Sequence, residues 1–246
     1  MGTVNHVKTK LTNGSRVAGI WSIIPSPMVC EIQAAAGLDF LILDMEHGPF
    51  DMAVLAEAIR ATAGYACSPL VRVPSIDPPL IQKILDLGAH GIVAPQVRTA
   101  EDARKLVACC RFAPNGLRGY NPFTRSGGFA ADHANAFLGK NFPLVALIIE
   151  NLEAYKHLPE ILQVEGIDVL YLGTYDMSCC LGVQGSMEHA LVLDFVKSAT
   201  SLIHGSGRIV GMMVDRMPAV FDPSEARFLV LKPDTFLLHQ AVASRL

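Results

Sequence analysis

Three side chains that can transfer protons or bind cations follow one apolar stretch of this chain. Residues 40–43 are apolar and lead into Asp44, Glu46 and His47, and a Gly-Pro pair then ends the segment. An apolar run without a polar face is typical of a strand that is buried on both sides, as in a parallel sheet. α/β enzymes present catalytic groups at the carboxyl ends of such strands. The segment therefore predicts a catalytic strand end, with His47 transferring protons at neutral pH; the alternative is a polar loop cap with a surface histidine.

Glu150 and Asp176 form a second pair of candidate residues. Each comes at or just beyond the end of an apolar segment, and the two segments are neighbours along the chain. Two carboxylates at this spacing suit a hard divalent cation, such as Mg2+ or Mn2+, that keeps several waters and needs few protein ligands. The pair therefore predicts a metal site. The alternative is that both are exposed loop acids or helix caps.

Arg72 lies near the carboxyl end of another apolar segment, 69–74. A buried guanidinium needs an anionic partner, which here is either a neighbouring carboxylate or a substrate oxygen. The tight turn Gly173-Thr174-Tyr175, beside the predicted metal, could hold a substrate carboxylate with its backbone amides. A Schiff-base mechanism would need a lysine at one of these segment ends. The apolar segment 169–173 carries none, so that mechanism would have to use Lys232, at the end of segment 228–232.

Strand-like and helix-like segments alternate along the chain, and this order predicts how the groups above are positioned. Alternation of this kind implies parallel strands with right-handed crossovers. Eight such units in 246 residues predict an α/β fold, a single-domain TIM (β/α)8 barrel over residues 1–246. The segment 235–246 is short for a complete last helix. The predicted strands are 16–24, 40–43, 69–74, 91–96, 142–149, 169–173, 208–214 and 228–232, and the predicted helices include 28–36, 51–63, 76–87, 99–110, 152–163 and 187–204.

In a barrel the carboxyl ends of all strands open onto one face, where barrel enzymes keep their chemistry. That rule gathers the candidates at one mouth: Asp44, Glu46, His47, Arg72, Gln96, Glu150, Asp176 and Asp215. One long loop, 111–141, interrupts the alternation and is rich in glycine and proline. Loops of this length inside a compact domain are usually functional. We predict a lid or substrate loop with a short helix near 132–138, and Arg118 as a substrate-binding residue.

Composition narrows the function further. A formal charge of −3 without a basic stripe argues against a nucleic-acid partner, and no apolar run is long enough to cross a membrane. The first residues lack the apolar region of a signal peptide, and the six cysteines lack CxxC spacing, so we expect buried free thiols and a cytoplasmic location. The high content of hydrophobic residues favours a homo-oligomer.

The ends of the seventh and eighth strands lack a glycine-rich phosphate turn, which disfavours phosphorylated substrates.

Several blocks of the chain, taken together, resemble the HpcH/HpaI aldolase family. These are metal-dependent class II pyruvate aldolases, typified by 4-hydroxy-2-oxoheptanedioate aldolase and 2-dehydro-3-deoxyglucarate aldolase. The similarity extends, in order and with similar spacing, from about residue 14 to 234. The blocks are Gly19-Ile20-Trp21, Leu43 to Gly48, Val71 to Pro74, Leu85 to Ile92, Pro114 to Gly119, Glu150, and Gly173 to Gly182.

The resemblance implies a lyase that cleaves a 4-hydroxy-2-oxo acid into pyruvate and an aldehyde, or forms it. It implies a divalent ion (Mg2+, Mn2+ or Co2+) on Glu150 and Asp176, chelated by pyruvate, with Arg72 on the keto oxygen. His47 would transfer protons through water, with Asp44 nearby and Asp86 contributed across a subunit contact. It also implies a hexamer of paired subunits that exchange their terminal helices. These implications agree with electrostatic stabilisation of an enolate.

Three positions depart from the family pattern. Ile148 stands where members usually carry Gln, Gly173-Thr174 replaces Gly-Pro, and Asp176-Met177-Ser178 replaces Asp-Leu-Ser. The Gln would contact pyruvate or metal-bound water, so its loss could change affinity or reaction. Two alternatives therefore stay open: an oxaloacetate decarboxylase or another enolate-forming, carbon–carbon bond-making enzyme on the same site, and a barrel that binds without catalysis.

Overall fold

Eight strands form a closed barrel in which every strand is parallel to both neighbours. The structure is a computed structural model that describes residues 5–130, 143–213 and 225–246. The predicted barrel is confirmed, and most strands are shorter than predicted. The strands are β1 (Val17–Ser22), β2 (Phe40–Asp44), β3 (Ser68–Arg72), β4 (Gly91–Ala94), β5 (Leu144–Ile149), β6 (Val169–Leu172), β7 (Ile209–Met213) and β8 (Ala226–Leu231).

Helix α1 (His6–Thr12) precedes the first strand, and the other described helices follow strands on the outside of the barrel. These are α2 (Pro27–Ala35), α3 (Met52–Ala61), α4 (Pro78–Asp86), α5 (Ala100–Cys110), α6 (Leu152–Lys156), α7 (Leu158–Leu162), α8 (Thr174–Cys180), α9 (Ala190–Gly205) and α10 (Asp234–Ala243). The single helix predicted over 152–163 is divided at His157, because Pro159 starts a new helix and cannot continue the old one.

Local sequence signals explain several helix ends. Asp51 accepts hydrogen bonds from the amides of Ala53 and Val54 and so caps α3, and Thr99 forms a reciprocal capping box with Asp102 at the start of α5. Gly88, after α4, has a φ of 98°, which only glycine adopts without strain. Gly88 thus ends α4 at the amino-terminal end of the barrel, where the chain turns back into β4.

Two apolar layers hold the barrel together. Trp21, Phe40, Ile148 and Tyr171 belong to the cluster inside the barrel, whereas alternate strand residues such as Leu41 pack outward against the helices. Every residue of β2 is buried. The prediction of a strand buried on both sides is therefore confirmed.

Helix α1, which was not predicted, covers the amino-terminal end of the barrel. Asn5 Nδ2 donates to the His90 carbonyl at 2.7 Å, the Val7 amide donates to Ser68 Oγ at 3.2 Å, and Lys8 Nζ lies 2.9 Å from Asp168 Oδ2. These partners come at the starts of β3 and β4 and just before β6. With this end covered, a ligand reaches the barrel from the carboxyl ends of the strands.

The described part of the long loop, 111–130, packs at the same covered end. Gly119 N donates to Gln82 Oε1 at 3.0 Å, and Arg118 Nη2 donates to Asp86 Oδ1 at 2.7 Å. Asp86 ends α4, which runs antiparallel to the strands and so finishes at their amino ends. Residues 111–130 therefore lie away from the mouth of their own barrel, and the role of 111–141 as a lid or substrate loop stays a prediction. The predicted helix at 132–138 and the strand end at Asp215 lie outside the described residues.

The carboxyl-terminal segment, predicted to be short for a helix, forms α10. Asp234 anchors its start, since its carboxylate accepts from Ile23 N at 3.0 Å and from Gln33 Nε2 at 3.1 Å. Further along, Leu238 is 57% exposed and Val242 is 56% exposed. Exchange of this helix between subunits stays a prediction. In the described segments, none of the helices combines the length and apolar character needed to cross a bilayer.

All six cysteines are free thiols, as predicted. Four of them are buried, and burial raises the pKa of Cys30 and Cys110 to about 12. Cys179 and Cys180 are exposed, contrary to the prediction that all would be buried, because they lie on the outer part of the short helix α8.

The barrel's inner packing can be tested at Gly19 on β1. A Cβ there would meet the Phe40 ring and lie 2.5 Å from the Phe40 carbonyl oxygen, whereas a Cβ at Gly64 would meet nothing within 4 Å. We expect Gly19→Ala to lower the free energy of unfolding by about 1–3 kcal/mol, and the matched Gly64→Ala to change it by less than about 0.5 kcal/mol. Urea unfolding measures both, and equal effects would contradict the packing described.

Candidate active site

A cavity of about 410 Å3 opens at the carboxyl ends of the strands. It is lined by four of the predicted site residues, His47, Arg72, Glu150 and Asp176, together with the turn at Gly173, Thr174 and Tyr175. These side chains come from four different strand ends. The rule that gathered them at one mouth is therefore confirmed for these residues.

Asp44 binds the guanidinium of Arg72 with both of its carboxylate oxygens. The Asp44 side chain is fully buried, and its oxygens lie 2.8 Å from Arg72 Nε and 2.5 Å from Arg72 Nη2. Asp44 Oδ1 also accepts from the amides of Glu46 at 3.0 Å and His47 at 3.2 Å. The contacts already engage both oxygens of Asp44. The arrangement fits a positioning residue better than the predicted proton-transfer group.

Arg72 has partners on two further sides. Its Nη1 lies 3.1 Å from Glu46 Oε2, and its guanidinium carbon lies 4.3 Å from the centre of the Trp21 ring, a cation–π contact. Trp21 is in turn fixed edge-on by Tyr171, at 5.6 Å between ring centres. Of the two partners considered for Arg72, the structure shows neighbouring carboxylates, and the guanidinium still faces the cavity.

Glu150 is buried at the end of β5, with 3% of the residue exposed. The amide of Gln96 donates to its Oε1 at 2.6 Å, and Gln96 has a φ of 54°, in the left-handed region that non-glycine residues rarely adopt. Burial first, and then the charges of Asp176 and Glu46, raise the pKa of Glu150 to about 7, against the lowering effect of the Gln96 amide and Arg72.

Asp176 lies in the first turn of α8 and is exposed toward the cavity. Gly173 precedes this helix and lets it approach Glu150, since a Cβ at Gly173 would lie 2.5 Å from Glu150 Cβ and 2.9 Å from Ile148 Cγ2. The Gly173 amide donates to the Ile149 carbonyl at 3.0 Å. The prediction that this amide binds a substrate carboxylate is therefore wrong, and Thr174 and Tyr175 keep that role as a prediction.

The donor set of the cavity fits a hard divalent cation. The charge of Asp176 adds to the effect of burial in raising the pKa of Glu150. Burial, with the charges of Asp44 and Asp176, also raises the pKa of Glu46, against the lowering effect of Arg72 and His47. Carboxylate oxygens and waters are the ligands that Mg2+ and Mn2+ prefer. Within the described ranges no cluster of three or more His, Cys, Asp or Glu side chains could hold a metal, so a site here would use two protein ligands.

His47 stands at the edge of the cavity. Its side chain is 66% exposed, and its Nε2 lies 3.9 Å from Glu46 Oε2. Because the backbone of His47 is fixed by Asp44, the imidazole is held near Arg72 while it stays in contact with solvent. That position suits a group that exchanges protons through water.

Asp86 and Arg118 do not reach this cavity. They pair with each other at 2.7 Å near the covered end of the barrel, and Arg118 also donates to Ser126 Oγ at 3.1 Å. Within one subunit, neither residue contacts the group around Arg72. Their predicted roles would require a neighbouring copy of the chain, and they stay predictions.

Sequence reasoning missed two aromatic residues that shape the cavity, Trp21 and Phe236. It placed Gln96 at the mouth but did not predict that the Gln96 amide orients Glu150. The sole tryptophan, placed inside the first strand, was an available signal for an aromatic floor. No sequence pattern indicated the backbone conformation of Gln96.

Three comparisons with known proteins agree with one another. The HpcH/HpaI aldolase/citrate lyase family model matches residues 17–227. The chain is 34% identical over 210 residues to a pyruvate aldolase of Rhizobium etli, covering 85% of this chain and 83% of that protein. It is 32% identical over 242 residues to a 4-hydroxy-2-oxo-heptane-1,7-dioate aldolase of Escherichia coli, covering 96% and 92%. A crystal structure of a family protein from Burkholderia cenocepacia J2315 superposes with a TM-score of 0.91 at 27% identity, covering 98% of both chains.

The raised pKa of Glu150 predicts a pH dependence of stability. Glutamate ionises at about pH 4.3 in an unfolded chain, but at about 7 in this fold. Between these values the folded chain binds more protons than the unfolded chain. The stabilisation that the protonated Glu150 gives the fold is therefore complete below about pH 4.3 and is lost as the pH rises through 7. In EDTA, from pH 4.5 to 8, the wild type should lose about 2–3 kcal/mol more stability than Glu150→Gln.

Urea unfolding followed by the fluorescence of Trp21 measures this difference. Glu188→Gln, which removes an exposed carboxylate, serves as the control and should follow the wild type. Parallel pH profiles for the wild type and Glu150→Gln would contradict the interpretation.

Proposed function

The chain belongs to the HpcH/HpaI aldolase/citrate lyase family, and from that premise we propose that it is a divalent-metal-dependent pyruvate aldolase. The reaction is the cleavage, or the reverse formation, of a 4-hydroxy-2-oxo acid, with pyruvate as the enolate component. One observation carries the proposal: Glu150, Asp176, Arg72 and His47 line a single cavity at the mouth of the barrel.

In this proposal Glu150 and Asp176 would hold the divalent ion, and the bound ion would supply a Lewis acid to the oxo-acid end of the substrate. The Gln96 amide fixes one oxygen of Glu150 at 2.6 Å, so the carboxylate has a defined orientation before any ligand binds. Glycine at 173 keeps α8 close enough for Asp176 to face the same space.

Arg72 stabilises the charge that develops during the reaction. When the bond between C3 and C4 breaks, its electron pair moves into the keto group and leaves a negative charge on that oxygen. The guanidinium is held by Asp44 on two nitrogens and by Trp21 on its face, so it is oriented before the charge appears. Preorganised donors of this kind lower the barrier because they need no rearrangement.

His47 accepts the proton of the 4-hydroxyl group, directly or through one water, as the aldehyde forms. The enolate then takes a proton at C3 and becomes pyruvate. Asp44 acts as a positioning residue for both His47 and Arg72, through its contacts with the His47 amide and the guanidinium. We also propose that Asp86 of a neighbouring copy supports proton transfer, as the family resemblance implies.

The proposal extends to assembly and location. Exposed apolar side chains on α10, including Leu238 and Val242, favour a homo-oligomer, with a hexamer of paired subunits as the arrangement that the resemblance implies. The six free thiols favour a reducing compartment such as the cytoplasm.

Chelation tests the metal. We expect purified protein to release pyruvate from 4-hydroxy-2-oxoheptanedioate, EDTA to abolish this activity, and Mg2+, Mn2+ or Co2+ to restore it. Glu150→Ala should lower kcat by at least about 10³-fold without rescue by added metal, while Glu188→Ala should keep wild-type activity. Activity that survives exhaustive chelation would falsify the metal-dependent proposal.

The same assay separates the alternative reactions. Oxaloacetate alone, compared with oxaloacetate plus an aldehyde, distinguishes a decarboxylase from a bond-forming enzyme, because only the second consumes the aldehyde. Calorimetric binding of pyruvate without turnover of any oxo acid would instead favour a barrel that binds without catalysis.

Arg72→Lys tests the role of the guanidinium. Lysine keeps the positive charge but cannot make the two-point contact with Asp44. We expect kcat to fall about 10²-fold with a smaller change in the KM for the oxo acid. Circular dichroism should show an intact fold, and a change confined to KM would argue against stabilisation of the transition state by Arg72.

A further inference from the structure

Lys232 lines the cavity and takes part in none of the steps above. It follows β8 directly, and the next two residues fix its backbone: Pro233 precedes α10, and Asp234 is buried and bonded to the Ile23 amide at 3.0 Å. The root of the lysine side chain is therefore held at the mouth of the barrel.

The ammonium group of Lys232 lacks a carboxylate partner among residues 5–130, 143–213 and 225–246. It lies 4.4 Å from the centre of the Phe236 ring, a cation–π contact that leaves its hydrogen-bond donors open. Arg72 differs, because Asp44 and Glu46 already compensate its charge. Among the described residues, Lys232 is thus a cation in the cavity that can accept an anionic ligand without first breaking an ion pair.

The position of Lys232 places that anion away from the reacting carbons. Glu150 and Asp176 follow β5 and β6, whereas Lys232 follows β8, next to β1 in the closed barrel. Ile23 and Met213 line the cavity on the Lys232 side and give it an apolar wall. A substrate whose oxo-acid end lies at Arg72 would therefore cross apolar surface before its far end meets the ammonium.

The surroundings favour a carboxylate over a phosphate as the anion. A phosphate usually needs several backbone amides, but Pro233 has none, and the amides of Ile23, Ile24 and Thr235 donate to Asp234. A carboxylate needs fewer donors, and a single lysine can pair with it.

We propose that Lys232 determines acceptor specificity by binding a carboxylate at the aldehyde-derived end of the substrate. The inference rests on the proposed function for the identity of the other end, where the oxo acid lies at Arg72. Lys232 is a binding residue here: it pairs with the distal carboxylate and leaves the chemistry to the groups at the opposite wall.

Binding of a matched pair of unreactive ligands tests this inference. The probes are 2-oxoheptanedioate and 2-oxoheptanoate, which differ only in the terminal carboxylate and lack the 4-hydroxyl group that cleavage requires. Calorimetry with Mg2+ present should show about tenfold tighter binding of the dioate to the wild type. Lys232→Met should bind both ligands with equal affinity, and Lys232→Arg should keep the preference.

Lys10→Met is the control: Lys10 lies on α1 at the covered end, where it pairs with Asp39, so its loss should leave the preference unchanged. The inference fails if the wild type does not distinguish the ligands, if the preference survives in Lys232→Met, or if borohydride links pyruvate covalently to Lys232. Pyruvate release from 4-hydroxy-2-oxoheptanedioate is measured in parallel. A preference for the dioate without pyruvate release would support the role of Lys232 and reject the aldolase reaction. Pyruvate release without that preference would support the aldolase reaction and reject the role of Lys232.

Discussion

The contact between Asp44 and Arg72 is the interaction on which the rest of the site depends. Asp44 is fully buried, so its charge is stable there only while the guanidinium and two backbone amides neutralise it. The same bonds fix the turn that carries Glu46 and His47. One ion pair therefore couples the orientation of the cation that faces the substrate to the position of the proposed base, and both follow from β2 and β3 lying side by side.

The two ends of the barrel are organised for different purposes. At the amino end, α1 and the loop 111–130 cover the strands with apolar and hydrogen-bonded contacts. At the carboxyl end, acidic side chains lie close together, and burial first, then repulsion by the charges of Asp176 and Glu46, raises the pKa of Glu150. Such repulsion costs stability in the free protein and is relieved when a cation binds, which is the usual arrangement of a functional site.

The sequence was sufficient to predict the barrel and the grouping of Arg72, Glu150 and Asp176, because buried parallel strands read as apolar runs and all end on one face. It was not sufficient for features set by tertiary contacts. The loop 111–130 packs at the covered end because Asp86 pairs with Arg118, and helix α1 is short and stabilised by distant partners. Gly173 also shows the limit, since its amide completes the pairing of β5 with β6.

The cavity wall has two parts. In the first, the backbone sets the positions of the lining groups, and in the second the wall is formed by side chains. Gln96 and Gly173 belong to the first, where a backbone amide or the absence of a Cβ sets the position of Glu150. Met213 and Phe236 belong to the second. For enzyme engineering, this means that libraries aimed at new aldehydes should randomise the second part, because changes there leave the Gln96 contact and the close approach at Gly173 in place.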